Sequence, residues 1–454
     1  MTETTERARK RATYPAYKPS GMDWVGDIPE HWDVHRLKHI ASVQLSSVDK
    51  HTIEDEEPVR LCNYVDVYYN DFIREGIDFM AATATRSEID RFRLRHGDVL
   101  VTKDSEAWDD IAVPAYVAED LDGVLCGYHL AHIRPNPRRA LGEYLFRVFR
   151  SRGINDQFRV AANGITRFGL GKYWLDNGLF PVPPLAEQKA IAAFLDRETA
   201  RIDALIEKKR RQIELLQEKR SAVISHAVTK GLDSNAPMKN SGIEWLGQIP
   251  QHWEIRRIKF LLDAMIDTEH KTVPFYEDGE YLVVRTSNVR NGTLVVDGAK
   301  YTDVDGYREW TRRGKPRPGD ILFTREAPAG EACRVPSDYP CCIGQRMVLF
   351  RVRQDRLSDR FGVYSIYSGL ASVFIRLLSQ GTTVAHFNMR DIGSIPMLVP
   401  SIDEQIRIAD WLDYQCERTS TLVGAVDTSI KHLNEFRTTL ISAAVTGKID
   451  VRST

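Results

Sequence analysis

The chain has almost no net charge. Its 62 basic and 63 acidic side chains leave −1 at pH 7 over 454 residues. That excludes a histone-like protein that grips nucleic acid by bulk charge, while leaving room for local basic faces. Long apolar runs are also absent. Nothing approaches the roughly 18 apolar residues that span a bilayer. Residues 1–20 are polar and hold no apolar signal core, so a cytoplasmic protein without a membrane partner is expected. The six cysteines show no C-x-x-C spacing, and Cys341 and Cys342 are adjacent. Neither a disulfide framework nor a cysteine-based zinc site is expected.

What the chain has is a copy of itself. Residues 20–38 read SGMDWVGDIPEHWDVHRLK and residues 241–259 read SGIEWLGQIPQHWEIRRIK. The correspondence continues at a similar offset. Arg95-His-Gly-Asp-Val-Leu-Val-Thr102 answers Arg317-Pro-Gly-Asp-Ile-Leu-Phe-Thr324, and Pro183 with Glu187-Gln188 answers Pro400 with Glu404-Gln405. Ala227-Val-Thr-Lys-Gly231 answers Ala444-Val-Thr-Gly-Lys448. Two tandem copies of about 220 residues follow from this repetition.

Each copy has two parts. The first mixes short apolar runs, such as Asp98–Thr102, Tyr281–Arg285 and Arg346–Arg351, with Gly, Pro, Asn and Asp turns. The second begins after Pro183-Pro184 or Pro400, with Glu187 or Glu404 in the first turn, and contains no further proline. Alternating steps of four and three bring Leu195, Ile202, Ile206, Ile213, Leu216 and Val223 onto one face. In the second copy the series is Leu412, Val423, Val426, Ile430, Leu433 and Leu440. Both seams include an arginine, Arg220 and Arg437. A sustained heptad predicts two long helices that pair with each other. The expected fold is α+β. A mixed α/β head (14–183) precedes a long helix (184–231), a second head (241–400) precedes a second helix (401–448), and the helices form an antiparallel coiled coil. Two heads at opposite ends of that rod would give one chain pseudo-two-fold symmetry.

Catalytic signatures are missing. Val182-Pro-Pro-Leu185 lacks the Asn and the aromatic of a base-methylating N-P-P-[YF] motif. Gly164-Ile-Thr-Arg-Phe-Gly-Leu-Gly-Lys172 fails as a phosphate loop, because Lys172 is followed by Tyr173. Glu207-Lys208-Lys209 lies within the helical pattern, where residues two apart diverge. His31, His35 and His39 are spaced four apart, yet the second copy keeps only His252. No catalytic residue and no metal site are assigned.

Binding features are present. Between Arg134 and Lys172 lie nine cations against Glu143 and Asp156, interleaved with Phe146, Phe149, Phe158, Phe168, Tyr173 and Trp174. The second copy gathers Arg308, Arg312, Arg313, Lys315 and Arg317 beside Tyr307 and Trp310. Arginine and aromatics on loops can grip phosphate and read base edges.

The order of head, helix, head and helix, with Ile28-Pro-Glu-His-Trp32, Ile249-Pro-Gln-His-Trp253, the Gly-Asp strands and the two Pro-x-x-x-Glu-Gln signatures, resembles the specificity (S) subunit of type I restriction–modification enzymes. The resemblance covers nearly the whole chain beyond residue 13. It implies that each head is a target-recognition domain reading one half of a split, asymmetric site in double-stranded DNA. It implies that the helices set the gap and dock two methyltransferase (M) subunits, with restriction/translocase (R) subunits joining them. It also implies that this chain has no cofactor or active site of its own, S-adenosylmethionine, ATP and Mg2+ belonging to those partners. A related multi-subunit enzyme of type IIB would differ mainly in the partner. A protein-binding coiled-coil scaffold would show no salt-sensitive DNA binding, and a free-standing nuclease would cleave with metal alone.

The candidate DNA-facing residues are Lys103, Arg134, Arg138, Arg139, Arg167 and Lys172 in the first head. In the second they are Arg285, Asn288, Arg312, Arg313, Arg346, His386, Asn388 and Arg390. The stretches Gly164–Tyr173 and Gly381–Arg390 are expected to correspond and to face DNA. Asp104-Ser-Glu-Ala-Trp-Asp-Asp110 is acidic where the second copy has Arg325-Glu-Ala-Pro-Ala-Gly330. It is expected either to accept a hydrogen bond from cytosine N4 or to shape its loop.

Overall fold

A computed structural model of the chain describes residues 12–268, 271–326, 328–338, 340–367, 369–379 and 387–452. Two helices dominate it, Leu185–Lys230 with 46 residues and Ile402–Val445 with 44. Both start directly after proline-ended strands and carry acidic residues in the first turn, where the helix dipole favours them. Both stop at a glycine in the left-handed region, Gly231 at φ +78 and Gly447 at φ +70. A side chain there would be strained, which is why glycine ends a helix well.

The heptad seam is where the sequence places it. Leu195, Ile202, Ile206, Val426, Leu412 and Leu440 are buried, and Ile213, Leu216, Val223, Val423, Ile430 and Leu433 are half-buried. The chain divides into two compact units, and the division falls inside both helices. Residues 1–209 and 427–454 form one unit and 210–426 the other. Within the first unit, Ile202 and Ile206 share a core with Leu440 and Ile441, and Arg437 pairs with Asp203 at 3.0 Å. The helix starting at Leu185 thus meets the far end of the second helix, so the two run antiparallel there. Within the second unit, Ile224, Ala227 and Val228 pack with Ile408, Ala409 and Leu412, again antiparallel. The seam arginines have separate uses. Arg437 serves Asp71 and Asp203, and the Arg220 Nε lies 3.5 Å from Cys416 Sγ.

The two heads share one topology. The first has a five-stranded sheet in the order Ala41–Leu45, Leu130–Pro135, Val99–Thr102, Pro114–Val117, Phe72–Ile73. The second has a four-stranded sheet in the order Leu262–Asp267, Met347–Val352, Ile321–Thr324, Ala332–Arg334. Among the described residues this sheet has no counterpart of the short edge strand Phe72–Ile73. Each head adds a three-stranded sheet whose middle strand, Glu57–Cys62 or Tyr281–Val284, has one parallel and one antiparallel neighbour. The Asn291-Gly292 turn closes a small hairpin with both residues at positive φ, the geometry that favours Asn-Gly. All six cysteines are buried and unbridged.

The duplicated motifs hold each head to its helices. Trp32 and Trp253 are fully buried. The Trp32 indole donates to Glu187 Oε1 at 3.0 Å and His31 Nε2 lies 2.8 Å from Glu187 Oε2. The Trp253 indole donates to Glu404 at 3.2 Å and His252 lies 2.7 Å from it. The following glutamine holds the start of an earlier helix of its own head, Gly142–Phe149 or Asp359–Ile366: Gln188 accepts from Leu141 N–H at 2.9 Å, and Gln405 from Ser358 N–H at 2.9 Å. The helix ends complete the joint. Lys448 Nζ donates to Asp27 O at 2.6 Å, and Lys230 Nζ donates to Leu246 O at 3.1 Å and to Gln248 O. Buried polar groups with such complete partnering fix one geometry. The signatures that the two copies share are therefore the joints of the scaffold.

The Gly-Asp pair has a parallel role. Asp98 accepts from Arg95 N–H at 2.9 Å and from Arg134 at 2.9 and 2.7 Å. Asp320 accepts from Arg317 N–H at 3.1 Å and pairs with Arg351 at 3.0 Å. Each closes the turn into its strand and ties it to the neighbouring strand.

Candidate nucleic-acid interface

Strand register sorts the candidate cations into two groups. In the first head Thr102 lies opposite Leu130 and Val99 opposite Ile133. Lys103 and His129 therefore share one end of the strand pair, here called the tip. Arg134 lies at the other end, five residues along the strand from His129 and so roughly 16 Å away at about 3.3 Å per residue. There the 136–141 loop meets the first long helix, through Gln188 Nε2 donating to Arg139 O at 3.0 Å.

Arg134, Arg138 and Arg139 consequently do not join Lys103 and Arg167. Arg134 is committed to Asp98, Arg139 donates to His39 O at 3.2 Å, and Arg138 is exposed beside the helix. Other cations of the Arg134–Lys172 stretch are structural too. Arg147 is buried against Asp196, Arg150 pairs with Asp71, and Arg159 pairs with Asp156 at 3.2 Å. A run of arginines in sequence thus does not make one basic face.

The tip of the first head is a compact cluster. Lys103 Nζ donates to Asp104 at 2.6 Å and lies 4.5 Å from the Tyr128 ring centroid. Lys103 is itself largely buried, with its ammonium held inward. His129 Nδ1 lies 3.1 Å from Asp104 Oδ2, and Arg167 Nη2 lies 3.4 Å from both ring nitrogens of His129. Burial works to raise the Asp104 carboxyl, but the hydrogen bonds from Lys103 and His129 outweigh it and hold it below its ordinary value. Asp104 is thus an ionised anchor shared by Lys103 and His129. Asp110 also shapes the loop: its carboxylate accepts from the Tyr68 hydroxyl at 3.1 Å and its carbonyl accepts from Thr102 at 2.8 Å. The loop-shaping expectation fits these contacts, while Glu106 and Asp109 of the same stretch are exposed. Arg167 sits on a hairpin closed by Asn163 and Gly169, with Ile165 almost fully exposed at its turn. Lys172 pairs with Asp176 at 2.6 Å on the short helix that follows.

The second head repeats the framework with other side chains. Leu170 N–H donates to Lys103 O at 2.7 Å, and Phe387 N–H donates to Arg325 O at 3.0 Å. Lys103 N–H donates to His129 O at 3.0 Å, and Arg325 N–H donates to Arg346 O at 3.0 Å. Lys103 thus answers to Arg325, and His129 to Arg346. The carboxylate is repeated as well, since Arg346 Nε lies 3.0 Å from Glu326 Oε2. Around it stand Arg313, 3.1 Å from Asp267, the neighbouring exposed Arg312, and Arg285, which lines a cavity with Arg346, Gln345 and Phe275. Asn388 caps the next helix by accepting from Asp391 N–H at 2.9 Å, and Arg390 on that helix is exposed. Asn288 is a correction. It is buried, accepts from Arg285 N–H at 3.0 Å and donates to Val295 O at 2.9 Å, so its amide is consumed by a turn. His386 and most of Gly381–Arg390 lie outside the described residues.

Sequence reasoning passed over His129, Gln345, Arg325 and Glu326 as candidates. The repeat carries part of the missing signal: the offset of the Gly-Asp motif aligns Lys103 with Arg325, whereas His129 meets Arg346 only at an offset five residues shorter. Among the described residues no single helix is long and apolar enough to cross a membrane.

Comparison with known proteins agrees with this architecture. The chain is similar to the type I restriction enzyme MjaVIII specificity subunit of Methanocaldococcus jannaschii, at 22% identity over 434 residues, covering 94% of this chain and 95% of that protein. Its fold is similar to a chain solved in work on complex assembly and conformational transition of the type I R-M system. That match has a TM-score of 0.70 and 19% identity, over 93% of this chain and 99% of the other. The HsdS subunit from Thermoanaerobacter tengcongensis matches with a TM-score of 0.54 and 19% identity, over 93% and 98%. The family model for the type I restriction modification DNA specificity domain matches residues 29–215 and again 250–431. The chain therefore belongs to the type I restriction modification DNA specificity family, with the domain present twice in tandem.

Proposed function

We propose that this chain is the non-catalytic, sequence-reading subunit of a type I restriction–modification complex, with each tip reading one half of a bipartite, asymmetric site in double-stranded DNA. One observation carries the reading. Two heads of the same topology place different polar groups at the same station, Asp104 with His129 in one and Glu326 with Arg346 in the other. A shared scaffold with unlike reading groups is what an asymmetric target demands. The long helices act as the spacer between the heads and dock two M subunits. R subunits complete the complex. S-adenosylmethionine, ATP and Mg2+ act on those partners, in the cytoplasm. Exposed Arg167, Arg312 and Arg390, with Arg285, Arg313 and Arg346, supply the DNA contacts of this reading. Lys103 supports the first tip from within.

The test is methylome sequencing of a host with and without this gene. Loss of N6-methyladenine at a single bipartite, asymmetric motif is expected. An unchanged methylome, together with failure to co-purify an M subunit, overturns the reading.

A further inference from the structure

The acid–base pair at the second tip is built to read a base. Arg346 stands at the entry to the strand Met347–Val352, and its backbone is fixed on both sides. Its carbonyl accepts from Arg325 N–H at 3.0 Å, and Met347 N–H donates to Gly344 O at 3.0 Å. Glu326 engages the guanidinium at Nε, 3.0 Å away, and the Arg346 side chain is 52% exposed. An arginine held at Nε keeps its terminal Nη1–Nη2 edge for a planar acceptor pair. That edge matches guanine O6 and N7 in the major groove. Neighbouring arginines are arranged differently: Arg313 spends Nη1 on Asp267, and Arg285 directs Nη2 at Gly298 O, 3.5 Å away.

The carboxylate also argues against a phosphate clamp. Its charge offsets that of Arg346, which weakens a purely coulombic pull on the DNA backbone. The same ion pair tethers the guanidinium beside Glu326, which favours directional donors over a mobile charge. We infer that Arg346 reads a guanine in the half-site of the second head, and that Glu326 is its positioning residue. The inference rests on the DNA-reading function proposed above. His129, held by Asp104 at the corresponding station of the first head, presents an imidazole instead of a fork, so the two heads differ where they read.

The experiment uses the complex of this chain with its M subunit and duplexes carrying the motif found in the methylome. Each guanine of both half-sites is replaced in turn by 7-deazaguanine, which lacks the N7 acceptor. One guanine is expected whose replacement weakens binding by wild type about tenfold, with no further loss for Arg346→Ala. Arg346→Lys keeps the charge but not the fork, and is expected to lose the same discrimination while retaining affinity for non-specific DNA. Glu326→Gln is expected to lose part of the discrimination, again without loss of non-specific affinity. If Arg346→Lys discriminates as wild type does, or if Arg346→Ala weakens all sequences equally, Arg346 is a phosphate contact and the inference falls. It falls also if no 7-deazaguanine effect is lost in Arg346→Ala. Absence of any motif in the wild-type methylome would instead count against the proposed function, so the two failures are distinct.

Discussion

The joint of each head and its tip follow opposite rules. At the joint the two copies are nearly superimposable in chemistry: Trp32, His31 and Glu187 in one, Trp253, His252 and Glu404 in the other. At the tip the backbone hydrogen bonds repeat but the side chains do not. Asp104 and His129 stand where Glu326 and Arg346 stand. Duplicated chemistry marks what the chain needs twice, which is attachment of a head to a helix pair. Divergent chemistry on a repeated backbone marks what must differ, which is the sequence read.

The largest effects are expected at the joints. Trp32→Ala or Trp253→Ala empties a fully buried indole site and should cost about 3–5 kcal/mol in its own unit. Denaturant unfolding followed by hydrogen exchange would locate the loss. A cost below about 1 kcal/mol would show that the joint is not where stability resides. Glu187→Gln and Glu404→Gln should each cost about 1–3 kcal/mol by leaving the indole and imidazole poorly partnered. The methylated motif should not change, and a changed motif would erase the distinction between joint and tip. At the tip the expectation reverses. Arg390→Ala should leave stability within about 0.5 kcal/mol, as for an ordinary surface change, and should weaken or relax recognition of one half-site only. Equal loss at both halves contradicts the division into two readers.

The smallest effect concerns acid. Burial works to raise the Asp98 carboxyl, but hydrogen bonds from Arg134 and His132 outweigh it and hold it below its ordinary 3.8. Its stabilising contribution is therefore complete above that value and is lost as pH falls through the lower, folded-state one. Unfolding of the first head should become easier in that acidic range, and Asp98→Asn should remove this part of the pH dependence. An unchanged acid profile in Asp98→Asn would show that Asp98 contributes nothing to it.

The sequence exposes the joints more readily than the tips, for a physical reason. A joint needs large apolar and paired polar residues at fixed spacing, so Ile28–Trp32 and Pro183–Gln188 appear again in the second copy. The seam is legible for the same reason, since a heptad reports burial directly. A tip is defined by which strand end a residue occupies, and composition carries no such information. Arg134 and Arg346 look alike as strand-flanking arginines, yet the register puts Arg134 at the helix end and Arg346 at the tip. Asn288 looks like a base-reading amide, but a turn takes both ends of it.

The most direct test of the central claim replaces the first head, residues 14–183, by a second copy of residues 241–400, and reads the N6-methyladenine motif in cells supplying the M subunit. Because the joints match, the exchanged head should seat on the same helices. The account predicts a symmetric motif made of two copies of the second head's half-site in opposite orientation. Persistence of the original asymmetric motif in a folded, M-bound chain would contradict it.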